Sequence, residues 1–408
     1  MTEVCDVAII GAGPAGSIAA ALLRKAGHKV VVLEQSQFPR FSIGESLLPQ
    51  CMAFIEEAGM LDAVNKAGFQ FKNGAAFSRN DQPGSFDFTQ KFSDGPGTTF
   101  QVQRADFDLL IANQAIAAGA DIRFGQRIEG FDYNEQGLPV LHYRNKEGNE
   151  LQLQSKFVLD ASGFGRVLPR LLDLEMPSDF PVRRSLFTHI EDNIVDPDYD
   201  REKILIVVHP EFKNVWYWLI PFSNGRCSLG VVAAEEFFDL EANTPEQLLK
   251  DAVNASPELR RLLCNAKFDT PITVLGGYAC KVKSLWGKRF ALLGNAGEFL
   301  DPVFSSGVTI AMKSASLAVP LVNRQLAGED IDWQTDYARP LQSGIDTFRV
   351  YVSAWYDGSF QDVIFSSTQQ PKVRAMICSI LAGYAWDKNN PFVKQPGRLQ
   401  TVVALCQD

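Results

Sequence analysis

The sequence predicts an α/β chain: a doubly wound parallel sheet, an inserted mixed β-sheet and a helical C-terminal region. Three observations predict it. Residues 5–35 run as apolar strand, glycine turn, helix and second apolar strand. A later run, residues 290–293, is short, continuously apolar and ends in a turn, as a strand buried on both faces of a parallel sheet does. The last part of the chain carries large aromatics, including Trp333, Trp355, Tyr356, Phe360 and Trp386, and reads as mostly helical. The doubly wound unit is assigned residues 1–75, 100–170 and 280–330, the inserted sheet 76–99 and 171–279, and the helical region 331–408.

In the first unit, Val7, Ala8, Ile9 and Ile10 form the strand and feed Gly11-Ala12-Gly13-Pro14-Ala15-Gly16. Gly11 permits a tight reversal, Gly13 lets backbone approach a pyrophosphate, and Gly16 lets the helix lie against the strand. Ala15, Ile18, Ala19, Leu22 and Leu23 then recur at the period of a helix packed on a sheet. Its N-terminus offers free N–H groups and the positive end of its dipole to phosphate. Glu34 closes the second strand about 20 residues on, where a carboxylate accepts hydrogen bonds from a ribose diol. Strand, turn, helix and acidic strand end together predict a dinucleotide site, but this motif alone does not separate FAD from NAD.

Composition bounds the rest. A 408-residue chain with 46% hydrophobic and 21% charged residues is of ordinary globular make-up. The formal charge of −9, with no basic run, argues against nucleic acid as a partner. No apolar stretch reaches the roughly 18 residues that cross a bilayer, and residues 376–386 read as a buried helix. The N-terminal residues lack a secretory pattern, and the seven cysteines lack C-x-x-C spacing, so free thiols in the cytoplasm are expected. The four histidines show no ligand spacing, and no metal site is expected.

The segment RFALLGNAGEFLDPVFSSG places a strand, a turn at Gly294-Asn295, a break at Asp301-Pro302, and a helix starting near Ser305-Ser306-Gly307. This resembles the late FAD motif of the glutathione-reductase-like flavoproteins, which include the aromatic hydroxylases and the flavin-dependent halogenases. The resemblance implies a doubly wound FAD-binding (Rossmann-like) domain. It departs at Asn295, where the family usually has Asp, so a neutral amide would meet the ribityl chain. The same resemblance assigns cofactor contacts to Asp160 in FVLDASG, to Arg40 and Ser46 in RFSIGESLLP, and to Arg104 in QVQRADFD; a solvated helix-start arginine is the alternative for Arg104.

Trp216-Tyr217-Trp218-Leu219-Ile220-Pro221 matches the W-x-W-x-I-P signature of the flavin-dependent halogenases. A strand's period of two puts both indoles on one face; the resemblance implies that they screen the flavin from substrate, while a core aromatic pair is the alternative. Residues 68–77, GFQFKNGAAF, are similar to the segment carrying the family's lysine, here Lys72. An amine is suited to capture hypohalous acid, by hydrogen bonding or as a haloamine, and burial would favour the neutral form; a strand-edge surface lysine is the alternative. The resemblance implies halide at the N–H groups of Ser306 and Gly307. Phe304 stands where halogenases of free tryptophan carry Glu, which points to a phenol or pyrrole.

The matches run in family order over residues 5–350 and imply a halogenase using FAD, reduced by a separate flavin reductase, dioxygen and halide on an electron-rich aromatic, free or carrier-tethered. The alternatives on the same scaffold are a flavin monooxygenase or dehydrogenase, a prenyl-type reductase, and a flavin-binding protein without turnover.

Overall fold

The computed structural model describes residues 3–366 and 370–407. Its central strand is Val7–Ile10, buried at every residue. It pairs in parallel with Phe157–Asp160 on one side and Val30–Glu34 on the other. The six-stranded sheet runs Trp286–Gly287, Phe290–Leu292, Phe157–Asp160, Val7–Ile10, Val30–Glu34, Asp121–Phe124, parallel except for the antiparallel hairpin at the first edge. Unbroken apolar strands require cover on both faces. Helix Pro14–Lys25 provides it on one side, packed between Arg104–Ala117 and Ser306–Leu326. Gly11, at φ +93°, makes the turn into the helix; a Cβ there would lie 2.7 Å from Ala161 O, so side chains are excluded by conformation and by space. A four-stranded sheet that the sequence reading did not single out, built from Glu3–Val4, Glu150–Gln154, Pro139–Arg144 and Arg127–Tyr133, lies beside this unit.

The mixed sheet has seven strands in the order Thr273–Gly276, Arg183–Glu191, Arg226–Ala234, Trp216–Pro221, Lys203–Val208, Gly74–Arg79, Gln82–Asp87. Lys203–Val208 pairs in parallel with Gly74–Arg79, and the remaining pairs are antiparallel. All six residues of Trp216–Pro221 are buried, because alternate side chains enter different cores. Trp216, Trp218 and Ile220 face the main core; Tyr217 and Leu219 face a second core with Leu249 and Val253 of helix Pro245–Ala255.

After Ser306–Leu326, a π-helical turn at Gln334–Ala338 leads into Arg339–Tyr356, Ser359–Phe365, Pro371–Leu381 and Arg398–Gln407. Their aromatic side chains close the main core: Trp355, Phe348, Tyr351 and Phe360 are fully buried. The Trp355 ring stands edge-on to Trp216 at 6.5 Å and to Phe304 at 6.0 Å. Among the described residues, no helix is long and apolar enough to cross a membrane.

Candidate functional site

A cavity of about 440 Å³ opens where the ends of the parallel strands meet the mixed sheet. Its floor is the glycine turn, with Gly11, Gly13 and Ala15 at the surface and the start of helix Pro14–Lys25 directed at it. Gly16 sits one turn into the helix, against Gly11 O, and does not line the cavity. Glu34 lines it while accepting from Ala12 N–H and Ser36 N–H, both at 2.8 Å. That carboxylate therefore shapes the glycine turn as well as facing the space above it.

Arg40 and Arg104 converge on the side wall through one buried acid. Arg104 forks onto Asp108 at 2.7 and 2.9 Å, and Arg40 reaches the same carboxylate at 3.2 Å. Arg104 also donates to Ile43 O at 2.6 Å, which holds the cavity-lining 40–46 loop. Arg104 is 7% exposed, so the solvated alternative does not describe it. Asn295 and Pro302 line the opposite wall. Asn295 Oδ1 is buried with no hydrogen-bond partner, an acceptor left for a group in the cavity.

Helix Ser306–Leu326 begins at this wall. Ser305 precedes it at φ +55°, and Ser305, Gly307 and Val308 line the cavity, whereas Ser306 is buried one residue behind. The first N–H groups of a helix have no partner within it, so an anion can be received here.

Trp216, Trp218 and Ile220 line the far side. The Trp218 ring lies over its cross-strand partner Gly230, and its Nε1–H donates to Ser228 Oγ at 3.0 Å. Trp216 Nε1–H donates to Tyr356 Oη at 3.0 Å, and Tyr356 donates to Asp301 Oδ2 at 2.8 Å. Burial raises the Asp301 carboxyl to about 6. Asp301 faces this chain of bonds and Val303 N–H, outside the cavity lining. Asp160 is likewise set back: it accepts from Ser162 N–H at 2.9 Å and Leu168 N–H at 2.7 Å, shaping the wall segment 161–165. Burial pushes its carboxyl above the usual range.

Lys72 is fully buried, which removes the surface-lysine alternative. It stands on Gln70–Lys72, a strand paired with Thr99–Gln101. Its Nζ donates to Ser46 Oγ at 2.7 Å and Leu47 O at 2.8 Å and lies 5.4 Å from the centre of the Phe88 ring. Ser46 lines the cavity and Lys72 does not, so the serine stands between them. Burial lowers the amine to about 7.

Three participants escaped the sequence reading. The sequence shows Tyr356 only as a tail aromatic, Glu45 only inside a loop motif, and His189 only as a histidine without ligand spacing. Glu45 Oε1 meets His189 Nε2 at 2.7 Å across 144 residues of sequence, a distance no local pattern reports.

The glycine-turn cradle, the acidic strand end at Glu34 and the unpaired Asn295 amide oxygen fit FAD. The family model described as FAD binding domain matches residues 4–282. The chain is 28% identical over 403 residues to the 1H-pyrrole-2-carbonyl-(peptidyl-carrier protein) chlorinase of Pseudomonas fluorescens, covering 93% of this chain and 89% of that one. The fold superposes on a flavoprotein/dehydrogenase of Cytophaga hutchinsonii with TM-score 0.95 and 43% identity, over 99% of both chains. It superposes on the flavin-dependent brominase Bmp2 with TM-score 0.85 and 26% identity, again over 99% of both. The chain belongs to the FAD binding domain family and, within it, to the flavin-dependent halogenases.

Proposed function

We propose that this flavoenzyme uses reduced FAD, dioxygen and halide to halogenate an electron-rich aromatic of the phenol or pyrrole type. The observation that carries the reading is the buried Lys72 amine, hydrogen-bonded to the cavity-lining Ser46 and held near neutrality. An ordinary lysine is a solvated cation; this one is partly neutral at physiological pH and is shielded from water, as capture of hypohalous acid requires.

Bound FAD would supply the electrons that activate dioxygen. Gly11, Gly13 and Ala15 would seat its pyrophosphate, Gly16 would let the helix lie close behind them, and Glu34 would hold its ribose, with Arg40, Ser46, Arg104, Asn295 and Pro302 around it and Asp160 and Asp301 supporting the walls. The N–H groups of Ser306 and Gly307 would hold halide. Trp216 and Trp218 would keep substrate from the flavin, so the oxidant travels to Lys72. Phe304 is buried between the Trp355 and Phe360 rings and brings no carboxylate, so the substrate ring must already be activated. The relative that chlorinates a pyrrole on a peptidyl carrier protein supports a carrier-tethered substrate, and a separate flavin reductase would provide the reduced cofactor.

Supplying FADH2, oxygen and chloride or bromide with a panel of phenols, pyrroles and indoles, followed by mass spectrometry, tests the reading. A halogen isotope pattern that disappears in Lys72→Ala is the expected result; halogenation undiminished in that variant removes the lysine's role. The likeness to the flavoprotein/dehydrogenase favours a second reading, a monooxygenase or dehydrogenase indifferent to halide. Substrate-stimulated NAD(P)H oxidation unaffected by halide would establish it.

A further inference from the structure

Glu45 is 2% exposed and lines the FAD cavity. Its backbone is fixed, because Glu45 O accepts from Val102 N–H at 2.7 Å and the next residue bridges Gln101. One carboxylate oxygen meets His189 Nε2 at 2.7 Å; the other, Oε2, is buried with no partner. Leaving a buried carboxylate oxygen unpaired costs about 1–3 kcal/mol or more, and Arg104 and Arg40 on the same wall are committed to Asp108. Glu45 is thus a cavity-lining acid with one oxygen on His189 and one unpaired.

His189 provides the other end. It stands on Arg183–Glu191 with its side chain 14% exposed, between the rings of Phe41 at 5.3 Å and Phe222 at 5.1 Å. Phe41 is itself half-exposed, so the imidazole sits just beneath the surface. An imidazole just beneath the surface, a carboxylate at the cavity wall and a 2.7 Å bond between them make a two-group path.

We propose that Glu45 and His189 form a proton conduit between solvent and the FAD cavity. His189 takes a proton from solvent at Nδ1 and passes the one on Nε2 to Glu45, and the carboxyl hands it to the cavity. This inference rests on the proposed function. There, one anionic reduced FAD (FADH−), one dioxygen, one halide and two protons give oxidised FAD, hypohalous acid and water: flavin and halide each give two electrons, the O–O bond breaks and an O–halogen bond forms; without halide, FADH−, dioxygen and one proton give oxidised FAD and hydrogen peroxide. The Glu45–His189 pair delivers the incoming proton at the cavity wall.

The test uses the FAD-loaded protein without halide, so it does not depend on halogenation. Glu45→Gln keeps the shape but carries no proton, and His189→Gln removes the outer group. Infrared difference spectra between oxidised and reduced protein should show a deuterium-sensitive carboxyl band that is missing in Glu45→Gln. Stopped-flow reoxidation by dioxygen should slow by about a hundredfold in both variants, and added imidazole should restore the rate in His189→Gln only. Unchanged reoxidation with flavin bound, absence of the carboxyl band from wild type, or loss of FAD from both variants would make the pair a structural clasp and overturn the proposal. If wild-type protein reoxidises through this pair yet makes no hypohalous acid when halide is added, the halogenase reading falls and the conduit stands.

Discussion

Tyr356 donates its hydroxyl proton to the buried carboxylate of Asp301 across 2.8 Å, and the same oxygen accepts the Trp216 indole N–H. Tyr356 is the last residue of helix Arg339–Tyr356, Trp216 faces the cavity, and Asp301 immediately precedes the cavity-lining Pro302. The Arg183 guanidinium covers the tyrosine ring at 3.3 Å. One phenol thus fastens the C-terminal helices to both walls of the site.

Tyr356→Phe keeps the ring and removes both bonds, leaving an indole N–H and a carboxylate oxygen buried without partners. The expected loss is about 2 kcal/mol in denaturant unfolding. With the indole no longer held, oxidant should escape, so peroxide or free hypohalous acid per reduced FAD consumed should rise. An unchanged yield would mean that Trp216 is held by packing alone.

Gly11→Ala puts a side chain where φ is +93° and Ala161 O is 2.7 Å away. Strain of about 1–2 kcal/mol, together with that clash, predicts FAD binding weakened at least about tenfold in a flavin-fluorescence titration. Wild-type affinity in the variant would move the pyrophosphate site elsewhere.

Lys72 fixes the sign of a pH effect. Its folded value of about 7 lies below the ordinary 10.5, so between those limits the unfolded chain binds the proton that the folded chain does not. This contribution makes stability rise with pH from about 7 to 10.5, whereas below 7 the full cost of a buried ammonium is present. Subtracting the unfolding free energies of Lys72→Met from those of wild type should reveal that slope. A flat difference would show an amine of ordinary basicity.

Asn295→Ala should lower FAD affinity by about 1–2 kcal/mol, or roughly tenfold, while the flavin-free protein melts no earlier, since Oδ1 has no protein partner to lose. Equal losses in affinity and in melting temperature would mark the amide as structural.

Some of this was legible from residues close together in the chain. The Val7–Ile10 strand, the Gly11 turn and the Pro14–Lys25 helix follow from local apolar periods and glycine placement, because a strand–turn–helix unit is specified by neighbours. The alternation of Trp216 and Trp218 placed both indoles on one face for the same reason. Boundaries shifted only slightly: the third of the apolar strands stops at Leu292, since Leu293 already opens the turn to Gly294.

What the sequence by itself determined is the class of scaffold and the kind of molecule it cradles, because both reside in short contiguous motifs whose geometry is set by backbone sterics and side-chain period. What only the tertiary structure decided is how the reactive groups are environed: Lys72 buried on Ser46, Glu45 against His189, Tyr356 between Trp216 and Asp301. Those partners lie 26, 144, 140 and 55 residues apart. An amine's basicity or an acid's unpaired oxygen depends on desolvation and on the few atoms within hydrogen-bond reach, and those are assembled only when distant segments pack.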